Sequence, residues 1–103
     1  MKEKDYEITL STPIGKRRGM MKLNFDDGKI AGVLSLFENC ETVSGFMDNK
    51  GDCSLWGSFR TLKNSFYYKA TGTINDEGLD LVLYGEKHSY RMTGTAVPLH
   101  PEG

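Results

Sequence analysis

The sequence contains few of the residues that stabilise very small or repetitive folds. It has two cysteines, three prolines and one tryptophan in 103 residues. Two cysteines are too few for a disulfide-dense scaffold, and without histidines nearby they do not make a zinc motif. Three prolines beside twelve glycines exclude a collagen-like repeat. The rest of the composition predicts one globular domain over residues 1–103, with an ordered core from about 5 to 97 and a frayed tail from 98 to 103.

An excess of one charge and long apolar runs are also missing. Thirteen basic residues against fourteen acidic ones give a net charge of −1, whereas a dedicated nucleic-acid-binding domain normally has a basic excess. The one basic cluster, Lys16-Arg17-Arg18, follows Pro13 and is predicted to lie in a solvated turn. No stretch reads as a secretion signal or a membrane span. We therefore expect a cytoplasmic protein with neither a nucleic-acid nor a membrane partner.

No window carries a convincing helical stripe, and apolar residues alternate with polar ones along nearly the whole chain. This alternation predicts eight strands, at about residues 6–12, 19–25, 29–37, 40–47, 53–61, 65–74, 79–84 and 89–97, of which the sixth is the longest. Turn signals such as Asp26-Asp27-Gly28 separate them. Because these turns are too short for a crossover helix, consecutive strands should pair antiparallel.

One face of these strands is apolar, and nothing else in the chain can cover it. A sheet that rolls shut buries this face against itself and removes both of its edges. The predicted fold is therefore all-β, an eight-stranded antiparallel up-and-down (meander) barrel.

Five glycines share the inward phase of the strands: Gly32, Gly45, Gly57, Gly72 and Gly94. A glycine within a strand has no side chain to pack, and it often marks a sharp bend or a close backbone approach. We interpret these glycines as a sign of tight curvature, where a side chain would collide with residues from the far wall. The alternative is a ligand that approaches the backbone.

The Thr12-Pro13-Ile14-Gly15 turn after the first strand and the glycine-centred strands resemble the calycin superfamily, in particular small bacterial lipocalin-like proteins. This resemblance implies a closed eight-stranded barrel and suggests an interior that holds a small molecule. The chain departs from true lipocalins at Tyr6-Glu7-Ile8, where their Gly-x-Trp would stand. It also has no segment for the helical lid of fatty-acid-binding relatives.

Four inward positions carry polar groups that could orient a ligand: Tyr6, Glu41, Tyr68 and Tyr90. A tyrosine offers an apolar ring with one hydrogen-bonding group, which suits a packed core or an amphipathic ligand site. One hypothesis is therefore a small apolar or amphipathic ligand at the barrel mouth. The alternative is a filled barrel in which Glu41 points to solvent at the rim.

Apolar residues also recur at outward positions on strands three to seven: Val33, Phe37, Phe46, Trp56, Tyr67, Val82 and Tyr84. Contiguous apolar side chains on the outside of a sheet usually mark a contact surface. Trp56 and Tyr67 are the expected anchors. The alternative function is therefore a non-catalytic interaction module, either a homodimer or a module that binds a protein partner through this face.

Nothing in the sequence indicates catalysis. The two histidines, His88 and His100, fall in a turn and in the tail, and no nucleophile has a base in reach. We expect no enzymatic activity, no cofactor and no metal. Cys40 and Cys53 fall on opposite faces of neighbouring strands, so they should be free thiols, buried or half-buried.

Overall fold

The computed structural model describes residues 2–13, 15–36, 39–60, 65–85 and 88–97. It contains eight strands: β1 (Lys2–Thr12), β2 (Gly15–Asp26), β3 (Lys29–Leu36), β4 (Asn39–Met47), β5 (Asp52–Arg60), β6 (Ser65–Ile74), β7 (Gly78–Tyr84) and β8 (Ser89–Ala96). Each strand pairs antiparallel with the next, and β8 returns to β1 through pairs that run from Tyr6↔Ala96 to Ser11↔Arg91. The chain is a closed antiparallel meander barrel, and the predicted fold class is confirmed.

The first hairpin is longer than predicted. Lys16, Arg17 and Arg18 are exposed, but they continue β2 as strand residues, so their placement in a turn was wrong. The pairing of β1 with β2 extends to Thr12↔Gly15, and the partner strand therefore keeps the basic residues extended. At twelve residues β2 exceeds the ten of β6, which is not the longest strand.

The apolar side chains that alternate along the strands form one core inside the barrel. Among the described residues, eighteen hydrophobic side chains are buried in a single cluster, and no charged or other polar side chain is buried with them. Leu23, Leu34, Leu55, Leu81 and Met92 are at most 1% exposed. Burying each such side chain stabilises the fold by roughly 1.5–3 kcal/mol, which explains why the inward phase is kept on all eight strands.

The inner glycines allow neighbouring strands to approach each other closely. A Cβ atom on Gly32 would collide with the carbonyl oxygen of Lys22, and one on Gly45 with that of Ser54. Both oxygens belong to the adjacent strand. The predicted curvature is therefore supported, but the predicted collision with the far wall was wrong at these glycines.

The described turns close one end of the barrel, which we call the first end; it carries the β2–β3, β4–β5 and β6–β7 turns. Asp27 and Gly28 both have positive φ, 54° and 82°, as a tight hairpin turn of the mirror-image type requires. The Met47 amide donates to the Gly28 carbonyl over 2.8 Å, and the Ile74 amide donates to the Gly51 carbonyl over 3.0 Å. The β2–β3 turn is thereby hydrogen-bonded to the last residue of β4, and the β4–β5 turn to the last residue of β6. The strand ends at Thr12, Leu36, Arg60 and Tyr84 lie at the opposite end, which we call the second end.

Within the described residues, no helix is long and apolar enough to cross a membrane.

Candidate functional site

The four inward candidates do not meet at one place. Tyr6 extends toward the first end, where its hydroxyl donates a hydrogen bond of 3.0 Å to the Asn75 carbonyl in the β6–β7 turn. The ring is 1% exposed. Burial, and then the Asp76 carboxylate, raise the pKa of Tyr6 above its ordinary value. Tyr6 therefore attaches β1 to this turn and lies apart from the other three candidates.

Glu41, Tyr68 and Tyr90 lie toward the second end. Glu41 pairs with Leu34 across the β3–β4 ladder and is half-buried, and Tyr90 pairs with Leu83 and is half-buried as well. Tyr68 is only 6% exposed. These three residues belong to the end of the barrel where a mouth was predicted.

Tyr68 packs over a glycine of the neighbouring strand. It pairs with Gly57, and a Cβ atom on Gly57 would lie 2.9 Å from the Tyr68 hydroxyl oxygen and 2.9 Å from the Thr42 carbonyl oxygen. An aromatic ring that covers a cross-strand glycine supplies the packing that the glycine lacks. Burial raises the pKa of Tyr68 to about 12.

The outer face of β3 to β7 exposes large apolar side chains, as predicted. We call this surface the outer wall; its exposed members are Val33, Phe46, Trp56, Tyr67 and Tyr84. Tyr67 is 80% exposed and Trp56 is 44% exposed. The rings of Phe46 and Trp56 contact each other, with centroids 5.5 Å apart and planes tilted by 49°. Val82 is half-buried, and Phe37 lies outside the described residues.

Strand register places a lysine between two of these rings. Trp56 of β5 pairs with Lys69 of β6, and Lys69 pairs in turn with Tyr84 of β7. One step toward the second end, Ser58 pairs with Tyr67. The sequence had indicated the aromatic residues but not Lys69, because alternation assigns a residue to a face without showing which residues lie beside it.

An open groove of about 630 Å³ lies on the outer wall, and we call it the outer groove. It is lined by Thr42, Trp56, Gly57, Ser58, Tyr67, Tyr68, Lys69, Tyr84 and Gly85. Lys69 is the one charged side chain among these lining residues, and none of them carries a carboxylate. Hydroxyl groups from Thr42 and Ser58 supplement the tyrosine hydroxyls. The described lining of the groove is therefore mostly apolar, with a few polar groups and one positive charge.

The two thiols are free and lie on opposite faces, as predicted. Cys53 is buried in the core, and burial, together with Asp52 and Asp48, raises its pKa to about 11. Cys40 is exposed, which corrects the expectation that both thiols would be at least half-buried. Its sulfur lies 3.2 Å from the hydroxyl oxygen of Ser35. Ser35 is the residue that pairs with Cys40 across the β3–β4 ladder, and both side chains lie on the outer face. A cross-strand position on the solvated side explains this exposure.

Comparison with protein-family models, with curated proteins and with solved structures finds no match to this chain. The likeness to lipocalin-like barrels therefore rests on the architecture, which is a closed eight-stranded antiparallel meander.

Proposed function

We propose that the chain is a non-catalytic, lipocalin-like binding barrel that holds a small amphipathic ligand in its outer groove. The observation that carries this proposal is the groove itself, about 630 Å³ in volume and lined by Trp56, Tyr67 and Tyr84. Small-molecule sites typically occupy roughly 300–1,000 Å³ and combine apolar walls with a few polar groups. The outer groove has both properties.

The packing of the interior supports a site outside the barrel. Side chains from all eight strands contribute to one buried cluster, including Leu55 of β5 and Leu81 of β7, each 1% exposed. A ligand held among them would have to displace packed side chains, which costs about as much as overpacking a core, roughly 1–3 kcal/mol or more. The outer groove requires no such displacement.

The barrel mouth is the second candidate site for the same kind of ligand. Glu41 and Tyr90 are both half-buried at the second end, where they could orient an amphipathic molecule above Tyr68. This site would use inward residues of the barrel, whereas the outer groove is lined mainly by outward residues, together with the inward Gly57 and Tyr68.

Titration with a neutral aromatic dye, N-phenyl-1-naphthylamine, distinguishes the two sites. Trp56 is the one tryptophan of the chain, so binding in the outer groove should change its fluorescence. Backbone amide shifts should change most at Trp56, Tyr67 and Tyr84. Trp56→Ser should weaken binding severalfold, because a buried aromatic contact contributes about 0.5–1.5 kcal/mol beyond its area.

Tyr90→Ser serves as the matched variant at the mouth and should bind the dye as wild type does. Shifts concentrated at Glu41 and Tyr90, with binding lost in Tyr90→Ser, would transfer the site to the mouth. A protein that binds no dye at either place would refute the proposed function.

A further inference from the structure

We infer that the ligand of the outer groove is an anion that carries a planar ring, with its acidic group on the Lys69 ammonium and its ring on the flanking aromatic side chains. This inference rests on the proposed function and adds the charge class of the ligand. The observation behind it is a lysine placed by register between Trp56 and Tyr84, in a groove whose described lining residues include no carboxylate and no other charged side chain.

The spacing of the three strands allows both contacts at once. Directly paired residues have Cβ atoms about 4.5–5.5 Å apart. Adjacent strands are about 4.8 Å apart, so Trp56 and Tyr84 stand about 10 Å apart, with Lys69 midway. A two-ring system can therefore lie against an aromatic side chain while a carboxylate, sulfonate or phosphate group reaches the lysine. Hydroxyl groups of Ser58 and Thr42 lie on the same surface as further hydrogen-bond donors.

The positive charge of Lys69 disfavours a cationic ligand. Aromatic side chains alone would form a favourable surface for an ammonium group, but Lys69 in their midst repels one. The carboxylate of Asp80, on the outer face of β7, is already bound by Arg91 through a 2.7 Å ion pair. Among the described residues, no carboxylate forms an ion pair with Lys69. An anionic group on the ligand would therefore supply the opposite charge.

The same charge disfavours a second copy of the chain as the occupant. A two-fold contact centred on this groove would place two Lys69 ammonium groups near each other. Like charges that face each other across an interface cost several kcal/mol. The described outward residues near Lys69 on neighbouring strands carry no negative charge that could offset this repulsion: Ser44, Ser54, Trp56, Thr71 and Tyr84.

Two dyes that share one ring system test the inference. The anion 1-anilinonaphthalene-8-sulfonate carries a sulfonate that N-phenyl-1-naphthylamine lacks. Wild-type protein should bind the sulfonate up to about fivefold more tightly, as expected for one ion pair worth up to about 1 kcal/mol at a partly exposed site. This preference should shrink with added salt, because salt screens exposed charges.

Substitutions of lysines then assign the preference to Lys69. Lys69→Gln should abolish the preference for the sulfonate, whereas Lys69→Arg should retain it. Lys50→Gln is the matched control, since Lys50 is exposed in the β4–β5 turn at the first end; it should bind both dyes as wild type does. Circular dichroism of each variant verifies that the barrel is folded.

Equal affinity of wild type for the two dyes, or a preference that survives Lys69→Gln, would overturn the anionic class while leaving the proposed function in place. Absence of binding by both dyes would overturn both the inference and the proposed function.

Discussion

At the scale of single residues, the inner glycines are positions where one methyl group should be costly. A Cβ atom on Gly32 would collide with the Lys22 carbonyl oxygen, and this oxygen belongs to backbone that cannot rotate away. We expect Gly32→Ala to lower the free energy of unfolding by roughly 2 kcal/mol or more, as overpacking does in tight cores. Urea unfolding followed by circular dichroism measures this difference.

Gly85→Ala is the control, because its nearest heavy atom, the His88 carbonyl oxygen, would be 3.5 Å from the new Cβ. It should change stability by less than about 0.5 kcal/mol, as most surface substitutions do. If Gly32→Ala and Gly85→Ala lowered the free energy of unfolding by similar amounts, the close approach of β2 and β3 would not be the reason for glycine at position 32.

The residue scale also shows what the sequence could predict. The inward phase of Gly32 and Gly45 follows from alternation, which is a property of one strand alone. A Cβ atom added to either glycine would collide with a backbone oxygen of the adjacent strand. That collision depends on the distance between the two strands, which alternation does not show. The same limit applies to Lys69. Alternation predicts that its side chain faces outward, but its position between Trp56 and Tyr84 depends on the register of three strands.

At the scale of elements, the strands were predicted to within a residue or two for β3 to β8, where turn signals are clear on both sides. The extent of the first hairpin was predicted wrongly. Lys16, Arg17 and Arg18 indicate exposure to solvent, but charged residues do not show whether an exposed segment is a turn or a strand. Pairing with the long β1 decides that. Strand ends that extend past their sequence signals therefore depend on the partner strand.

The contact between β1 and the β6–β7 turn provides a prediction at this scale. The Tyr6 hydroxyl donates to the Asn75 carbonyl, and the ring is buried. Tyr6→Phe should lower the free energy of unfolding by about 1–2 kcal/mol, because a hydrogen bond is lost and its acceptor loses its partner. Chemical unfolding measures the loss, and amide hydrogen exchange should accelerate in residues 75–77.

Tyr67→Phe removes a hydroxyl from a ring that is 80% exposed, and it should alter stability by no more than about 0.5 kcal/mol. If Tyr6→Phe were equally mild, the hydrogen bond to Asn75 would not be what attaches this turn to β1.

At the scale of the whole molecule, closure was predictable because eight short strands with one apolar face have no other means of covering it. The β1–β8 pairing closes the sheet and so disfavours association through added edge strands. The exposed apolar surface that could support self-association is the outer wall, which was predicted from the outward positions of Phe46, Trp56 and Tyr84. The wall is present, but Lys69 at its centre makes a two-fold contact unfavourable.

We therefore expect wild-type protein to stay monomeric in light scattering from micromolar to several hundred micromolar concentration, and Trp56→Ser to have the same mass. A stable two-fold interface buries about 1,200–2,000 Å² in total, which on this wall would bring two Lys69 side chains together. A wild-type dimer that is dispersed by Trp56→Ser would assign the wall to a second copy. Lys69→Gln separates the two explanations further: relief of repulsion should promote dimers if the wall is otherwise self-complementary, whereas a ligand groove predicts a monomer in every variant.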